Sequence, residues 1–210
     1  MIDLKTENLL INKEVNENLE SILKRKAFSN GYIFYGAEGI GKKQTAMKFI
    51  MEIFNKYSSN SNIEKKILDK NHPDFLLIEP TYFFKGNLIN RSEAEPTKNN
   101  KETIRIEQIR NLKTFLGQKS IESGGKIVLI DDAHLMNEAA SNCLLKTLEE
   151  PSNGIFILLT SRLNLLLDTI ISRCQLIRFK SFSYKQLEIF IRNNLAVSYT
   201  HLTLPTILLV

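Results

Sequence analysis

The sequence predicts an α/β domain: a five-stranded parallel sheet with helices on both faces. Three observations predict it. Five short apolar runs alternate along the chain with segments of helical spacing, the pattern of a parallel sheet covered on both sides. One run, Lys126 to Ile130, is a continuous buried-strand pattern that leads straight into Asp131-Asp132. At another junction, strand-like Gly31 to Tyr35 and helix-like Gln44 to Ile50 flank the glycine-rich turn Gly36-Ala37-Glu38-Gly39-Ile40-Gly41-Lys42-Lys43.

The chain of 210 residues is long enough to bury a full core, and 43% hydrophobic with 24% charged residues is the balance of a globular protein. No charged start precedes an apolar leader, and nothing through Asn194 is long and apolar enough to span a bilayer, so a cytoplasmic protein without a membrane partner is expected. The net charge of +5 comes from 20 Lys and 8 Arg; it fits a solvated Lys-rich surface as well as a nucleic-acid face. Cys143 and Cys174 stand far apart without further cysteines, which reads as two buried thiols and excludes a cysteine-rich zinc site.

In order, Leu9 to Lys26 spaces Ile11, Val15, Leu19, Ile22 and Leu23 along one helix face. The first strand, the glycine turn and a helix follow. After a polar break at 57–62 and a short charged segment, His72-Pro73-Asp74 opens a second strand that runs to Pro80. Residues 81–101 are polar, with Gly86, Pro96 and a Lys-Asn-Asn-Lys tract, and read as a long surface loop. From Thr103 the spacing is helical, with Ile106, Ile109, Leu112, Phe115 and Leu116 on one face. Lys126 to Ile130 is the third strand, and a helix from Asn137 to Glu149 stops at Pro151. Ile155 to Thr160 is the fourth strand, a short helical stretch spans Leu165 to Ser172, and Gln175 to Phe179 is the fifth strand. Ser183 to Gln186 forms a possible capping box, with Phe182 and Leu187 as a staple, and begins a new helical domain. The expected division is therefore a domain of 1–180, the start of a second at 181–194, and a tail of 195–210. That tail holds no Asp, Glu, Lys or Arg, and Ser198 to Thr206 resembles translated sequencing-adapter sequence; a native apolar segment of the next domain is the alternative.

The glycine turn fits the phosphate-binding pattern G-x-x-x-x-G-K-[ST] at every fixed position except the last. Backbone N–H groups around Gly36, Gly39 and Gly41, with the positive end of a helix, can hold phosphate oxygens, and Lys42 stands where an ammonium reaches the β- and γ-phosphates. Ser or Thr in place of Lys43 would offer a hydroxyl to Mg²⁺. A Lys ammonium has no lone pair and repels the ion. Thr45 points about 200° around the helix and is no substitute. Asp131-Asp132 ends a strand where ligands of parallel sheets bind. The first acid of such a pair supports Mg²⁺, and the second, usually Glu, orients the attacking water; Asp132 is one methylene shorter. The site is thus expected to hold ATP or ADP weakly or not at all, without rapid hydrolysis. His134 lacks partners at metal spacing and reads as structural, as does Cys143. Arg173, just before an apolar strand in Ser172-Arg173-Cys174, is either a capping or ion-pairing residue or an arginine finger for a neighbouring subunit's phosphate.

Over about residues 8–192 the chain resembles the delta-prime family of bacterial DNA polymerase III clamp-loader subunits, within the AAA+ superfamily. The resemblance rests on Gly36 to Lys43, His72-Pro73-Asp74, Ile104 to Leu116, Val128 to His134, Asn142 to Pro151 and Ser172-Arg173-Cys174. The Leu-Leu-Lys-Thr-Leu-Glu-Glu-Pro run and the Ser-Arg-Cys triplet carry most of its specificity. It implies a P-loop domain of AAA+ type followed by a helical lid, in a subunit that does not itself hydrolyse ATP. Arg173 would complete the ATP site of an adjacent motor (gamma or tau) subunit in a complex that also holds delta and places a sliding clamp on primed DNA. Thr160 matches the polar sensor residue. Members often carry a zinc module before the His-Pro-Asp strand; no zinc is expected here. The family's lid is barely begun and its carboxy-terminal collar is missing, which suggests truncation. The alternatives are a catalytically active motor subunit and a stand-alone DNA-binding module; the latter lacks any interleaving of aromatic and basic residues.

Overall fold

In a computed structural model, the described residues are 12–25, 28–57, 62–84, 87–90, 102–122, 124–150 and 154–182. The elements are α1 (Lys13–Arg25), β1 (Gly31–Tyr35), α2 (Lys42–Asn55), α3 (Ile63–Leu68), β2 (Phe75–Ile78), β3 (Thr81–Phe84), β4 (Asn87–Asn90), α4 (Ile106–Gly117), β5 (Lys126–Ile130), α5 (Glu138–Glu149), β6 (Gly154–Thr160), α6 (Asp168–Ile171) and β7 (Gln175–Arg178). Short 3₁₀ turns lie at Ala133–Leu135 and Leu163–Leu165.

Five strands form one parallel sheet in the order β2-β5-β6-β1-β7. Side chains alternate across it with the period of two that strand geometry imposes. Tyr32, Phe34, Ile127, Leu129, Ile157 and Leu159 pack with α1, α2 and α3 on one face. Ile33, Val128, Ile130, Phe156 and Leu158 pack with α4, α5 and α6 on the other. Burial on both faces is why these strands are continuous apolar runs in the sequence. Helix α1 buries Val15, Leu19, Ile22 and Leu23, the face its spacing predicts, while Leu9 to Ile11 lie outside the described residues. Helix α2 brings Phe49 edge-on to Tyr32, centroids 5.8 Å apart.

His72-Pro73-Asp74 is a structural clamp. The fully buried Asp74 carboxylate accepts hydrogen bonds from Ile121 N at 2.9 Å, Glu122 N at 2.8 Å and Ser120 Oγ at 3.0 Å, so it ties the segment before β5 to the start of β2. The His72 ring stacks on Phe54, centroids 4.4 Å apart. Burial pushes the His72 pKa below its usual value, although the nearby Glu122 and Asp74 carboxylates oppose that shift.

Three expectations need correction, and one further segment forms an element. The expected loop of 81–101 begins with an antiparallel hairpin, β3 with β4, in which Thr81 pairs with Asn90 and Tyr82 with Ile89. Its β-branched and aromatic residues had been outweighed by the polar tract behind them; 91–101 lie outside the described residues. Thr103 and Ile104 are not helical but bridge to Thr81 and Met136, and α4 starts at Ile106 with Gln108 closing a capping box on Arg105 N at 2.9 Å. The charged segment after 62 folds into α3, because Ile63 and Ile67 share a buried face. Both cysteines are half-buried free thiols rather than buried ones. The stop at Pro151, the capping box from Ser183, most of the expected lid start and the tail of 195–210 lie outside the described residues.

Candidate functional site

The strand order puts the carboxyl ends of β1, β6, β5 and β2 side by side. The first carries the glycine turn, the second Thr160, the third Asp131. Register adds a residue that the sequence alone had not singled out. Ile78 pairs with Ile130, so the next residues, Glu79 and Asp131, are neighbours at this edge.

The turn leaves β1 at Gly36, whose φ is 151°, and whose N–H donates to Thr160 O at 3.3 Å. A Cβ here would lie 2.4 Å from Phe179 O, so the close approach requires glycine. Gly41, at φ 85°, turns the chain into α2 in a left-handed conformation. Gly39 lies between them. Lys42, the first helical residue, folds back over the turn and donates to Gly36 O at 2.8 Å and Ala37 O at 2.6 Å. Burial lowers its pKa, partly offset by the charges of Asp132, Glu38 and Asp131.

Lys43 lies between two carboxylates. Its Nζ is 2.8 Å from Asp131 Oδ2 and 2.7 Å from Glu79 Oε1. Lys70 holds the other Glu79 oxygen, Oε2, at 2.6 Å. Burial works against the charge on Lys43, but its bonds to Asp131 and Glu79 outweigh that and raise its pKa above the usual value. Burial likewise disfavours the Glu79 carboxylate, and the ammonium groups of Lys43 and Lys70 more than reverse it, holding Glu79 below the usual range. An ammonium hydrogen-bonded to both acids occupies the space between them and adds a positive charge there. A divalent cation does not fit beside it.

Asp132 stands beyond β5 at φ 46°, ψ 49°, a left-handed conformation that Asp tolerates better than most residues, and its N–H donates to Asp131 Oδ1 at 3.1 Å. Thr160 is buried at the end of β6. Its Oγ1 accepts from Arg162 N at 3.1 Å and lies 3.3 Å from His134 Nδ1. Burial lowers the His134 pKa against the raising effect of Asp132. Thr45 faces Asn16, Leu19 and Glu20 of α1, away from this edge.

Arg173 is not part of this cluster. It precedes β7, and because Gln175 pairs with Tyr32 in parallel, it lies at the amino end of the sheet, opposite the glycine turn. Its side chain is 39% exposed, with Nη1 donating to Thr169 O at 2.9 Å and Nη2 2.7 Å from Glu149 Oε1. The adjacent Cys174 packs against the start of β1, where a Cβ on Gly31 would come within 2.6 Å of its Sγ. Burial pushes the Cys174 thiol up to about 11. Glu79 and Glu149 are the site residues that motif reading missed. An acid following a strand was the available signal for Glu79, but its pairing with Asp131 depends on strand order.

Residues 11–183 match the family model described as DNA polymerase III, delta subunit. The chain belongs to this family. It is 34% identical over 157 residues to the DNA polymerase III subunit delta' of Pseudomonas aeruginosa, covering 71% of this chain and 43% of that one. To the delta' subunit of Bacillus subtilis it is 30% identical over 189 residues, covering 84% and 52%. The chain thus spans about half the length of the curated relatives it matches. A DNA polymerase III gamma subunit-related protein of Thermotoga maritima superposes with a TM-score of 0.57 at 21% identity, over 83% of this chain and 49% of that one. The fold is a P-loop NTPase fold of AAA+ type, as the sequence predicts. Among the described residues no helix is long and apolar enough to cross a membrane.

Proposed function

We propose that the chain is a delta-prime-type subunit of a DNA polymerase III clamp loader that does not hydrolyse ATP itself and lends Arg173 to the ATP site of a neighbouring gamma or tau motor subunit. The observation that carries the first half is the Lys43 ammonium bonded to both Asp131 and Glu79, where a working site needs Mg²⁺. ATP or ADP, if taken up at all, is held weakly through the glycine turn and Lys42 without a metal ion, and no zinc is involved. The second half is supported by the position of Arg173: at the far end of the sheet from its own phosphate turn, it can meet phosphate only on another molecule. The delta subunit, the sliding clamp and primed DNA are the further partners of this reading, in a complex working in the cytoplasm.

A motor-type subunit is the second reading, favoured by the intact turn of Gly36, Gly39, Gly41 and Lys42 with its positive φ angles. Steady-state ATP turnover by the purified full-length protein separates the two. The proposal expects none above background with Mg²⁺ present; turnover of about 1 s⁻¹, the slow end for phosphoryl transfer enzymes, supports the motor reading instead.

A further inference from the structure

Arg173 and Glu149 come from different helices. The arginine follows α6, the glutamate is the last residue of α5, and the two bond at 2.7 Å. With Nη2 on Glu149 and Nη1 on Thr169 O, two of the five guanidinium N–H groups are committed and three remain for a partner. A long side chain that would otherwise sample many rotamers is thus held at both terminal nitrogens. The next residue, Glu150, is bonded to Lys113 of α4 at 2.9 Å. A carboxylate in the last turn of a helix is set against the helix dipole, so Glu149 does not serve α5. Its side chain is 47% exposed, and an ion pair at such a surface adds little to folding stability.

We propose that Glu149 is a positioning residue for Arg173, holding the guanidinium oriented at the surface before a neighbour's phosphate arrives. This rests on the reading of Arg173 as a residue acting on that phosphate. The relation differs from a catalytic one, since Glu149 acts only through Arg173.

The test is a double-mutant cycle in a clamp loader reconstituted with the full-length protein, comparing Glu149→Gln, Arg173→Ala and the double variant in DNA-stimulated ATPase. Glu149→Gln is expected to lower kcat roughly 3- to 10-fold at unchanged KM for ATP, and the double variant to match Arg173→Ala alone. Partial rescue by Glu149→Asp, which restores the charge on a shorter arm, is the companion result. The proposal is overturned if Glu149→Gln leaves kcat unchanged while Arg173→Ala lowers it, or if the two losses multiply. A loss of assembly or a lower melting temperature in Glu149→Gln, with no change in kcat, marks a merely structural pair and also overturns it. An Arg173→Ala loader of normal rate removes the reading of Arg173, and this proposal with it.

Discussion

Lys43 and Asp131 meet across the carboxyl edge of the sheet, ammonium nitrogen to carboxylate oxygen at 2.8 Å, with Glu79 closing the other side at 2.7 Å. The first helix after the phosphate turn therefore delivers its own cation to the acid that would otherwise support a metal ion. Removing that ammonium should reopen the space. Lys43→Thr, which supplies the missing hydroxyl, is expected to make nucleotide binding Mg²⁺-dependent, about tenfold or more tighter with Mg²⁺ than with EDTA. The parent protein should show no such difference in the same fluorescent-nucleotide titration.

Asp74 is predicted to matter for folding and not for chemistry. Its buried carboxylate is the common acceptor for Ser120, Ile121 and Glu122, and Lys126 Nζ lies 4.0 Å away. Asp74→Ala should cost about 2–4 kcal/mol, measured by urea unfolding, because three donors lose their shared acceptor and the buried Lys126 ammonium loses its counter-charge. A loss below about 0.5 kcal/mol, the size typical of an ordinary surface change, would refute the clamp.

The depressed pKa of His72 makes a pH prediction with a definite sign. The unfolded chain binds this proton more readily than the folded one, so the contribution to stability is present above the ordinary histidine value of 6.5 and is lost as pH falls through the lower folded pKa. His134 is shifted in the same direction. Urea midpoints should therefore fall between pH 7.5 and 5, and His72→Gln should flatten that dependence. A midpoint that rises on acidification in this window contradicts the assignment.

Cys174 serves as an anchor for the turn that carries Arg173. Gly31→Ala would drive a methyl into its sulfur and should destabilise by about 1–3 kcal/mol, whereas Gly31→Ala with Cys174→Ala should recover most of the loss. With its thiol raised to about 11, Cys174 should also alkylate slowly at pH 8 in the folded protein and quickly in urea. Additive losses in the double variant would show that the two residues are not in contact.

Much of the fold is legible in the residues. The strands β1, β5 and β6 stand out because burial on both faces leaves few polar positions to blur them, the edge strand β7 shows through its apolar centre Leu176-Ile177 between Gln175 and Arg178, and α1, α2 and α5 follow from spacing and caps. The β3–β4 hairpin is masked by its polar sequel, and α3 by its short length and the three charged residues Glu64, Lys65 and Lys66 between Ile63 and Ile67. The incompatibility of Lys43 with Mg²⁺ follows from residue chemistry alone, since an ammonium has no lone pair. Its partner Glu79 could not be read, because the neighbourhood of β2 and β5 is a property of strand order. Glu149 was hidden for the same reason: its contact with Arg173 depends on how α5 and α6 pack.

The most direct test pairs two variants of the full-length chain in one assay, the DNA-stimulated ATPase of the reconstituted loader. Arg173→Ala should lower the rate roughly tenfold or more, while Lys42→Ala, which disables this chain's own phosphate turn, should leave it unchanged. The opposite pattern, a loss with Lys42→Ala and none with Arg173→Ala, would mean that the chain hydrolyses ATP at its own site and would contradict the account.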